Sequence, residues 1–277
     1  MEWRIARASV IGSGHIHAGM PCQDSNYVMQ VGDTVIIAVS DGLGAASYSD
    51  RGSTFICEDV VDRLAQAITP PQPTFIESVA QSVSKFITGV TANSVDMQSI
   101  MTQAVTASRA ALIELATAAQ HEPRDYACTL LVAVLSPDAW HVVHIGDGAV
   151  VGIESATTMR TLSAPDNGEF INVTVPVTSS DYLQHLRYIH GKESLYGIAL
   201  LSDGVQPMCI NYKNNAPFPG FFQPLIAWLA AFPQHTLADA SAGLHTLLDS
   251  EKLRQKSDDD MTLVLVLTRE VPSEEQK

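Results

Sequence analysis

Acidic residues follow buried apolar runs at several places in this chain, and most of them stand beside a glycine. Asp41 comes directly after the run TVIIAVS, Asp147 follows HVVHIG, and Asp203 follows IALLS. Three consecutive acids at 258–260 precede MTLVLVL, and Asp24 stands just before another short strand-like segment. Carboxylates at strand ends can meet along one edge of a sheet, so these residues are candidates for a shared site.

A cluster of carboxylates has a definite chemistry. Mutual repulsion raises the pKa of each group, so such clusters usually hold divalent cations. An oxygen-only ligand set favours Mg²⁺ or Mn²⁺ over zinc or copper, and two such ions can activate a water for attack on phosphorus. The pattern therefore predicts metal-assisted phosphoester hydrolysis. The alternative is that each Asp only forms its own turn, and the Asp-Gly spacing does not exclude it.

Apolar periodicity predicts the elements that position these acids. Predicted strands cover 5–12, 26–30, 34–40, 128–135, 140–145, 149–153, 195–202 and 261–268. Predicted helices cover 57–68, 75–90, 101–119, 221–231 and 237–248. The strands between 128 and 153 are expected to form an antiparallel meander, and the polar segments 163–194 and 206–220 to be irregular flaps over a site. This order of elements favours stacked sheets with helices outside over a doubly wound parallel sheet.

Composition limits the class of protein. A chain of 277 residues with 46% apolar content can build one large core or two small ones. A formal net charge of −14 repels a phosphate backbone, which argues against nucleic acid as a partner. No apolar run resembles a signal peptide or a membrane span, and the four cysteines lack zinc-ligand spacing, so we expect a cytoplasmic protein with reduced thiols and no membrane association.

Six motifs together point to a family. In chain order they are CQDSNYV, VSDGLGA, YACTLLVAVL, HIGDGAVV, LLSDGV and DDMTLVLV. This series resembles that of the metal-dependent PP2C-type (PPM) serine/threonine protein phosphatases, in the bacterial PP2C-like branch, and the likeness extends from about residue 9 to 268. The resemblance implies an α+β fold, a four-layer αββα sandwich of two central antiparallel sheets flanked by helices. It also implies one phosphatase domain at 1–270, followed by a disordered tail at 271–277.

The resemblance also assigns roles to individual residues. It implies that Asp41 bridges two metal ions, that the carbonyl of Gly42 binds one of them, and that Asp203 and Asp259 hold the other. Asp24 would act through a metal-bound water. Asp147 matches a position associated with a third, weaker metal site. The implied cofactors are two Mg²⁺ or Mn²⁺ ions, with a third at Asp147.

Four positions depart from the better-known family pattern. Gly19 replaces the arginine that binds substrate phosphate, and Gln23 replaces the acid before Asp24. Leu43 replaces the histidine that follows Asp-Gly in eukaryotic members, which removes the usual candidate for the general acid. Asp260 stands where the family usually has asparagine. These changes leave the metal ligands intact but affect phosphate binding and protonation of the leaving group.

Histidines near the predicted site offer a replacement. His15 and His17 could take the phosphate-binding or leaving-group role, although turn histidines are often merely solvated. His141 and His144 are three residues apart on one strand and therefore face opposite sides, which indicates structural roles. Cys22 lies among carboxylates that disfavour a thiolate, so a cysteine-phosphatase mechanism is not expected.

The leading hypothesis is an enzyme that hydrolyses phosphoserine and phosphothreonine in proteins by means of a metal-activated water. Its partner would be a phosphoprotein substrate, with a Ser/Thr kinase acting in opposition, and the enzyme is expected to be a monomer. Two alternatives remain open at this point. One is a catalytically weak phosphatase-like module that binds and regulates a partner, and the other is a phosphatase of small metabolites.

Overall fold

The computed structural model describes residues 2–69, 96–165, 174–233 and 237–268. Most strands in these ranges belong to two five-stranded antiparallel sheets. In sheet order, the first sheet contains β1 (Trp3–Val10), β12 (Met261–Thr268), β9 (Gly197–Leu201), β6 (Ala149–Ile153) and β7 (Met159–Ser163). The second contains β2 (Ser25–Val31), β3 (Thr34–Ser40), β4 (Leu130–Leu135), β5 (Trp140–Ile145) and β8 (Arg187–Gly191). A separate small hairpin pairs β10 (Ile210–Asn211) with β11 (Ala216–Pro217).

Helices connect and cover the sheets. They are α1 (Ser13–Ala18), α2 (Ser49–Ile68), α3 (Met97–Ala118), α4 (Tyr182–His185), α5 (Gln206–Cys209), α6 (Pro219–Ala231), α7 (Leu237–Leu248) and α8 (Glu251–Arg254). Short 3-10 turns occur at Pro123–Tyr126 and Asp203–Val205. Among the described helices, none is both long and apolar enough to cross a membrane.

Strand β3 is apolar throughout because both of its faces are buried. Val35, Ile37 and Val39 pack between the two sheets, while Ile36 and Ala38 pack on the other face with the helices. Successive side chains of a strand point to opposite faces, so a strand covered on both faces needs apolar residues at every position. The prediction that this strand is buried on both faces is confirmed.

The same alternation builds the two outer layers. Phe222 and Ile226 of α6 and Leu244 of α7 pack with residues of the first sheet, such as Leu265. On the other side of the sandwich, apolar side chains of α2 and α3, such as Leu64 and Val105, pack on the second sheet. Two central antiparallel sheets flanked by helices are therefore present, and the predicted αββα architecture is confirmed.

The predicted meander is wrong at its third strand. β4 and β5 do pair as an antiparallel hairpin, with Leu131 opposite His144. Strand β6, however, lies in the other sheet between β9 and β7. The turn at Gly146, whose φ is +110°, carries the chain across the sandwich. All three strands are apolar, so their pattern carries no information about which sheet each one joins.

The segment predicted as an irregular flap contains regular structure. Its residues 187–191 form β8, which pairs with β5 at the edge of the second sheet. This strand is only partly buried and is rich in polar residues, so it lacks the apolar signal used to predict strands. The second predicted flap likewise contains α5 and the β10–β11 hairpin. The predicted helix at 75–90 and the predicted tail at 271–277 lie outside the described residues.

Candidate active site

Antiparallel pairing brings the predicted acids to one edge of the sandwich. Asp41, Asp147 and Asp203 follow the carboxyl ends of β3, β5 and β9. Asp24 and Asp259 precede β2 and β12, which pair antiparallel with β3 and β9. The start of a strand lies beside the end of its antiparallel neighbour. The topology therefore explains how residues far apart in sequence approach one another.

The turn after β3 is held by backbone and hydroxyl hydrogen bonds to Thr129. The Asp41 amide donates to Thr129 Oγ1 at 2.9 Å, and the Thr129 amide donates to the Asp41 carbonyl at 2.8 Å. Ser40 Oγ also donates to the Thr129 carbonyl, at 2.6 Å. These bonds fix the backbone that carries the Asp41 carboxylate. The sequence analysis missed Thr129, and its only signal is a hydroxyl residue at the start of an otherwise apolar strand.

Gly42 occupies a position with no room for a side chain. A Cβ atom there would lie 2.7 Å from the Gln23 carbonyl oxygen and 2.8 Å from Cβ of Ser49. The Gly42 amide donates a hydrogen bond to that same Gln23 oxygen at 3.1 Å. The close contact explains why glycine follows Asp41, independently of any metal.

Three carboxylates form the centre of the site. Asp41, Asp147 and Asp203 each offer an oxygen, and these atoms all lie within 4.8 Å of one another. They line a cavity of about 270 Å³. Its other lining residues are His15, Gly42, Leu43, Gly44, Thr129, Thr174 and Asp259.

The electrostatics of these acids fit a divalent cation. Burial, followed by the charges of Asp24 and Asp203, raises the pKa of Asp41 well above its usual range. Burial and the charges of Asp147 and Asp259 raise the pKa of Asp203 to about 6. Oδ1 of Asp147 and Oδ1 of Asp203 are buried without a hydrogen-bond partner. Buried carboxylate oxygens that repel one another and lack donors suit a cation, so the residues present fit the implied metal ions.

Asp259 and Asp24 lie around this centre in different ways. Asp259 lines the cavity, and burial raises its pKa, but it is outside the group of three carboxylates. Asp24 does not line the cavity, although its charge acts on Asp41. It is 7% exposed and accepts a hydrogen bond from Ser202 Oγ at 2.7 Å, while its Oδ1 is buried without a partner. Burial, and secondarily the charge of Asp260, raises the pKa of Asp24 to about 8.

The two candidate histidines are placed differently. His15 lines the cavity, and its Nδ1 lies 2.9 Å from Oδ2 of Asp260. His17 is exposed, its Nδ1 is 2.7 Å from the Ser13 carbonyl oxygen, and it does not line the cavity. The structure therefore brings His15, but not His17, to the acidic cluster.

Other sequence predictions concern groups near the site. Burial raises the pKa of the Cys22 thiol far above its usual range, which agrees with the prediction that no thiolate forms there. His144 is buried, with Nδ1 2.7 Å from Ser163 Oγ, and burial lowers its pKa. Thr174, which the sequence analysis missed, donates a hydrogen bond to Oδ2 of Asp147.

Two stacked antiparallel sheets whose strand ends converge on an acidic cavity define the class of the protein: an αββα fold with a site suited to divalent cations. The model of the family described as protein phosphatase 2C matches residues 11–249. The chain belongs to this family, which is metal-dependent, and the predicted family and enzyme class are confirmed.

Individual relatives agree with this assignment. Serine/threonine-protein phosphatase 3 of Escherichia coli (strain K12) is 29% identical over 276 residues, which cover 98% of this chain and 100% of the relative. A serine/threonine phosphatase of S. agalactiae has a TM-score of 0.58 at 14% identity, with 96% of this chain and 100% of that one covered. PppA of Pseudomonas aeruginosa, described as a regulatory component of T6SS, has a TM-score of 0.55 at 14% identity, with 96% and 98% covered. These two structures support the fold.

Proposed function

We propose that this chain hydrolyses phosphoserine and phosphothreonine in proteins with Mg²⁺ or Mn²⁺ as its cofactor. The observation that carries the proposal is the group of Asp41, Asp147 and Asp203 carboxylates within 4.8 Å, in a chain of the protein phosphatase 2C family. The name of the E. coli relative supports the choice of serine and threonine. A Ser/Thr kinase would supply the phosphoprotein substrate, and we propose a cytoplasmic monomer with one catalytic domain.

The proposed metal ligands are the carboxylates that line the cavity, Asp41, Asp147, Asp203 and Asp259, together with the Gly42 carbonyl. Divalent cations held there would neutralise phosphate charge and make water more acidic. Asp24 is proposed to act on the cluster through water, since its charge acts on Asp41 although it does not line the cavity.

One local feature favours the alternative of a catalytically weak binding module. Gly19, which replaces the family's phosphate-binding arginine, ends α1 in a left-handed conformation with φ +67°. An arginine in this left-handed conformation would be strained by about 1–2 kcal/mol, so the helix end favours glycine over the usual side chain. Leu43, which lines the cavity, adds an apolar group where eukaryotic members have a histidine. Turnover in the presence of metal distinguishes the two functions.

The test is hydrolysis of p-nitrophenyl phosphate and of a phosphothreonine peptide by the full chain with Mn²⁺, with Mg²⁺ and with chelator. Wild-type turnover should require metal. Asp41→Asn and Asp203→Asn should lower it by at least about 100-fold, because each removes a charged ligand from the cluster. Asp62→Asn is the matched control, since Asp62 is exposed on α2.

Calorimetric titration of Mn²⁺ into the same proteins separates the outcomes. Loss of both metal binding and turnover in the two cluster variants, but not in Asp62→Asn, supports the phosphatase. Wild-type metal binding without turnover of either substrate would instead favour the binding module. Turnover of p-nitrophenyl phosphate and sugar phosphates without peptide turnover would favour a phosphatase of small molecules.

A further inference from the structure

The carboxylate of Asp260 is almost fully buried, at 1% side-chain exposure, and each of its oxygens accepts a hydrogen bond from a backbone amide. The Gly12 amide donates to Oδ1 at 2.6 Å, and the Gln23 amide donates to Oδ2 at 2.5 Å. Nδ1 of His15 lies 2.9 Å from the same Oδ2. Asp260 thus joins the start of α1 to the segment before β2 and faces the His15 ring.

A carboxylate suits this position better than the asparagine usual in the family. Both Asp260 oxygens accept hydrogen bonds from backbone amides. Asparagine has one acceptor oxygen, so its NH₂ group would face an amide donor or the His15 ring. An Asp260 carboxylate oxygen therefore faces Nδ1 of His15 as an acceptor.

The pair leaves one histidine nitrogen for the substrate. Nδ1 faces Asp260, and the His15 ring lines the metal-site cavity, so Nε2 is the nitrogen available there. Among the described residues that line this cavity, His15 alone carries a nitrogen donor in its side chain. The Thr174 hydroxyl already donates its proton to Asp147, and the Thr129 hydroxyl, which accepts from the Asp41 amide, is a much weaker acid than an imidazolium.

We propose that His15 is the general acid that protonates the leaving group, with Asp260 as its positioning residue. This inference rests on the proposed phosphatase function. A water oxygen forms a bond to phosphorus, and the bond from phosphorus to the serine or threonine oxygen breaks with its electron pair on that oxygen. The departing oxygen takes the proton from Nε2 of His15, and the proton lost by the water passes to solvent, from which His15 is protonated again.

Leaving-group dependence tests this role, since only poor leaving groups need an acid. In His15→Asn, kcat for a phosphothreonine peptide should fall about 100-fold or more, because loss of a general acid typically costs a factor of 10² to 10⁴. Turnover of p-nitrophenyl phosphate, whose leaving group is already stable as an anion, should fall by less than about 5-fold. Across aryl phosphates of decreasing leaving-group acidity, the rate of the variant should decline more steeply than that of the wild type.

Two further variants complete the experiment. Asp260→Asn should also slow the phosphothreonine peptide more than p-nitrophenyl phosphate, but by only about 10-fold. The smaller loss is expected because the His15 ring loses its orientation but keeps its proton. His190→Asn, on the exposed part of edge strand β8, is the matched control and should change neither substrate. Thermal unfolding and Mn²⁺ titration of each variant show that it is folded and binds metal.

Equal slowing of both substrates in His15→Asn would overturn the inference and indicate phosphate binding or a structural role, while the phosphatase function would stand. Unchanged turnover of both would also overturn it. Absence of metal-dependent turnover by the wild type would overturn the proposed function itself and the role of His15 with it.

Discussion

The metal-free protein should lose stability as pH rises, and Asp24 provides the clearest test. The folded state raises the pKa of this carboxyl to about 8 from an ordinary value of 3.8. Between these values the folded chain holds a proton that the unfolded chain has released. Stability then falls with rising pH, because the folded state binds more protons. The effect arises from burial, since Asp24 is 7% exposed and Oδ1 has no partner.

The size of the effect follows from the linkage relation. Each proton that only the folded state holds lowers the free energy of unfolding by about 1.4 kcal/mol for every unit by which the pH rises. A pKa of about 8 keeps Asp24 mostly protonated at pH 6 and half protonated at pH 8. The contribution of Asp24 to the free energy of unfolding therefore falls by about 2 kcal/mol between pH 6 and pH 8. Other groups also titrate, so the wild type is compared with Asp24→Asn, and the difference contains the Asp24 contribution together with its effect on Asp41.

Asparagine is a near-isostere that can still accept the hydrogen bond from Ser202. Urea unfolding in chelator, followed by tryptophan fluorescence at pH 6, 7 and 8, gives the free energy of unfolding of both proteins. The wild type minus variant difference should fall by about 2 kcal/mol from pH 6 to 8. A difference that is flat, or that grows with pH, would refute the argument that burial keeps Asp24 protonated. Mn²⁺ added to the wild type at pH 8 should restore stability by binding the folded state.

Three further predictions concern the frame around the site. Gly42→Ala should abolish most activity, because its Cβ would lie 2.7 Å from the Gln23 carbonyl oxygen, whereas Gly44→Ala, with its nearest contact at 3.9 Å, should retain activity in the same assay. Leu130→Ala, in the fully buried β4, should cost about 2–5 kcal/mol in urea unfolding with little change in KM. Arg109 donates hydrogen bonds to the three consecutive carbonyls at 177–179. Arg109→Met should therefore lower the urea midpoint of unfolding. A midpoint equal to that of the wild type would contradict this anchoring role.

Strand positions were largely predictable where both faces are covered. Strands β3 and β12 have the predicted bounds, because an apolar run with polar ends marks a strand buried on both sides. The family could also be predicted, since its motifs are local and keep their order. The position of edge strand β8 could not be predicted, because its partly exposed residues do not need to be apolar.

Sheet membership was the clearest failure of the sequence analysis. β6 follows β5 after a short turn, as a hairpin partner would, yet it pairs with β9 and β7. An apolar strand fits either sheet of the sandwich. The choice depends on long-range hydrogen bonds and on the conformation of Gly146, which a local pattern does not encode.

The sequence by itself determined which acids stand at strand ends and which chemistry they suit. Tertiary structure alone decided which of them meet: Asp41, Asp147 and Asp203 form one group, while Asp24 lies outside it and does not line the cavity. Tertiary structure also decided that His15, but not His17, lines the cavity. Two residues along a helix differ by about 200° in direction, so only one of the pair can face the cavity. Residue type and spacing specify chemical capacity, but the approach of side chains in space depends on strand pairing and helix orientation across the whole fold.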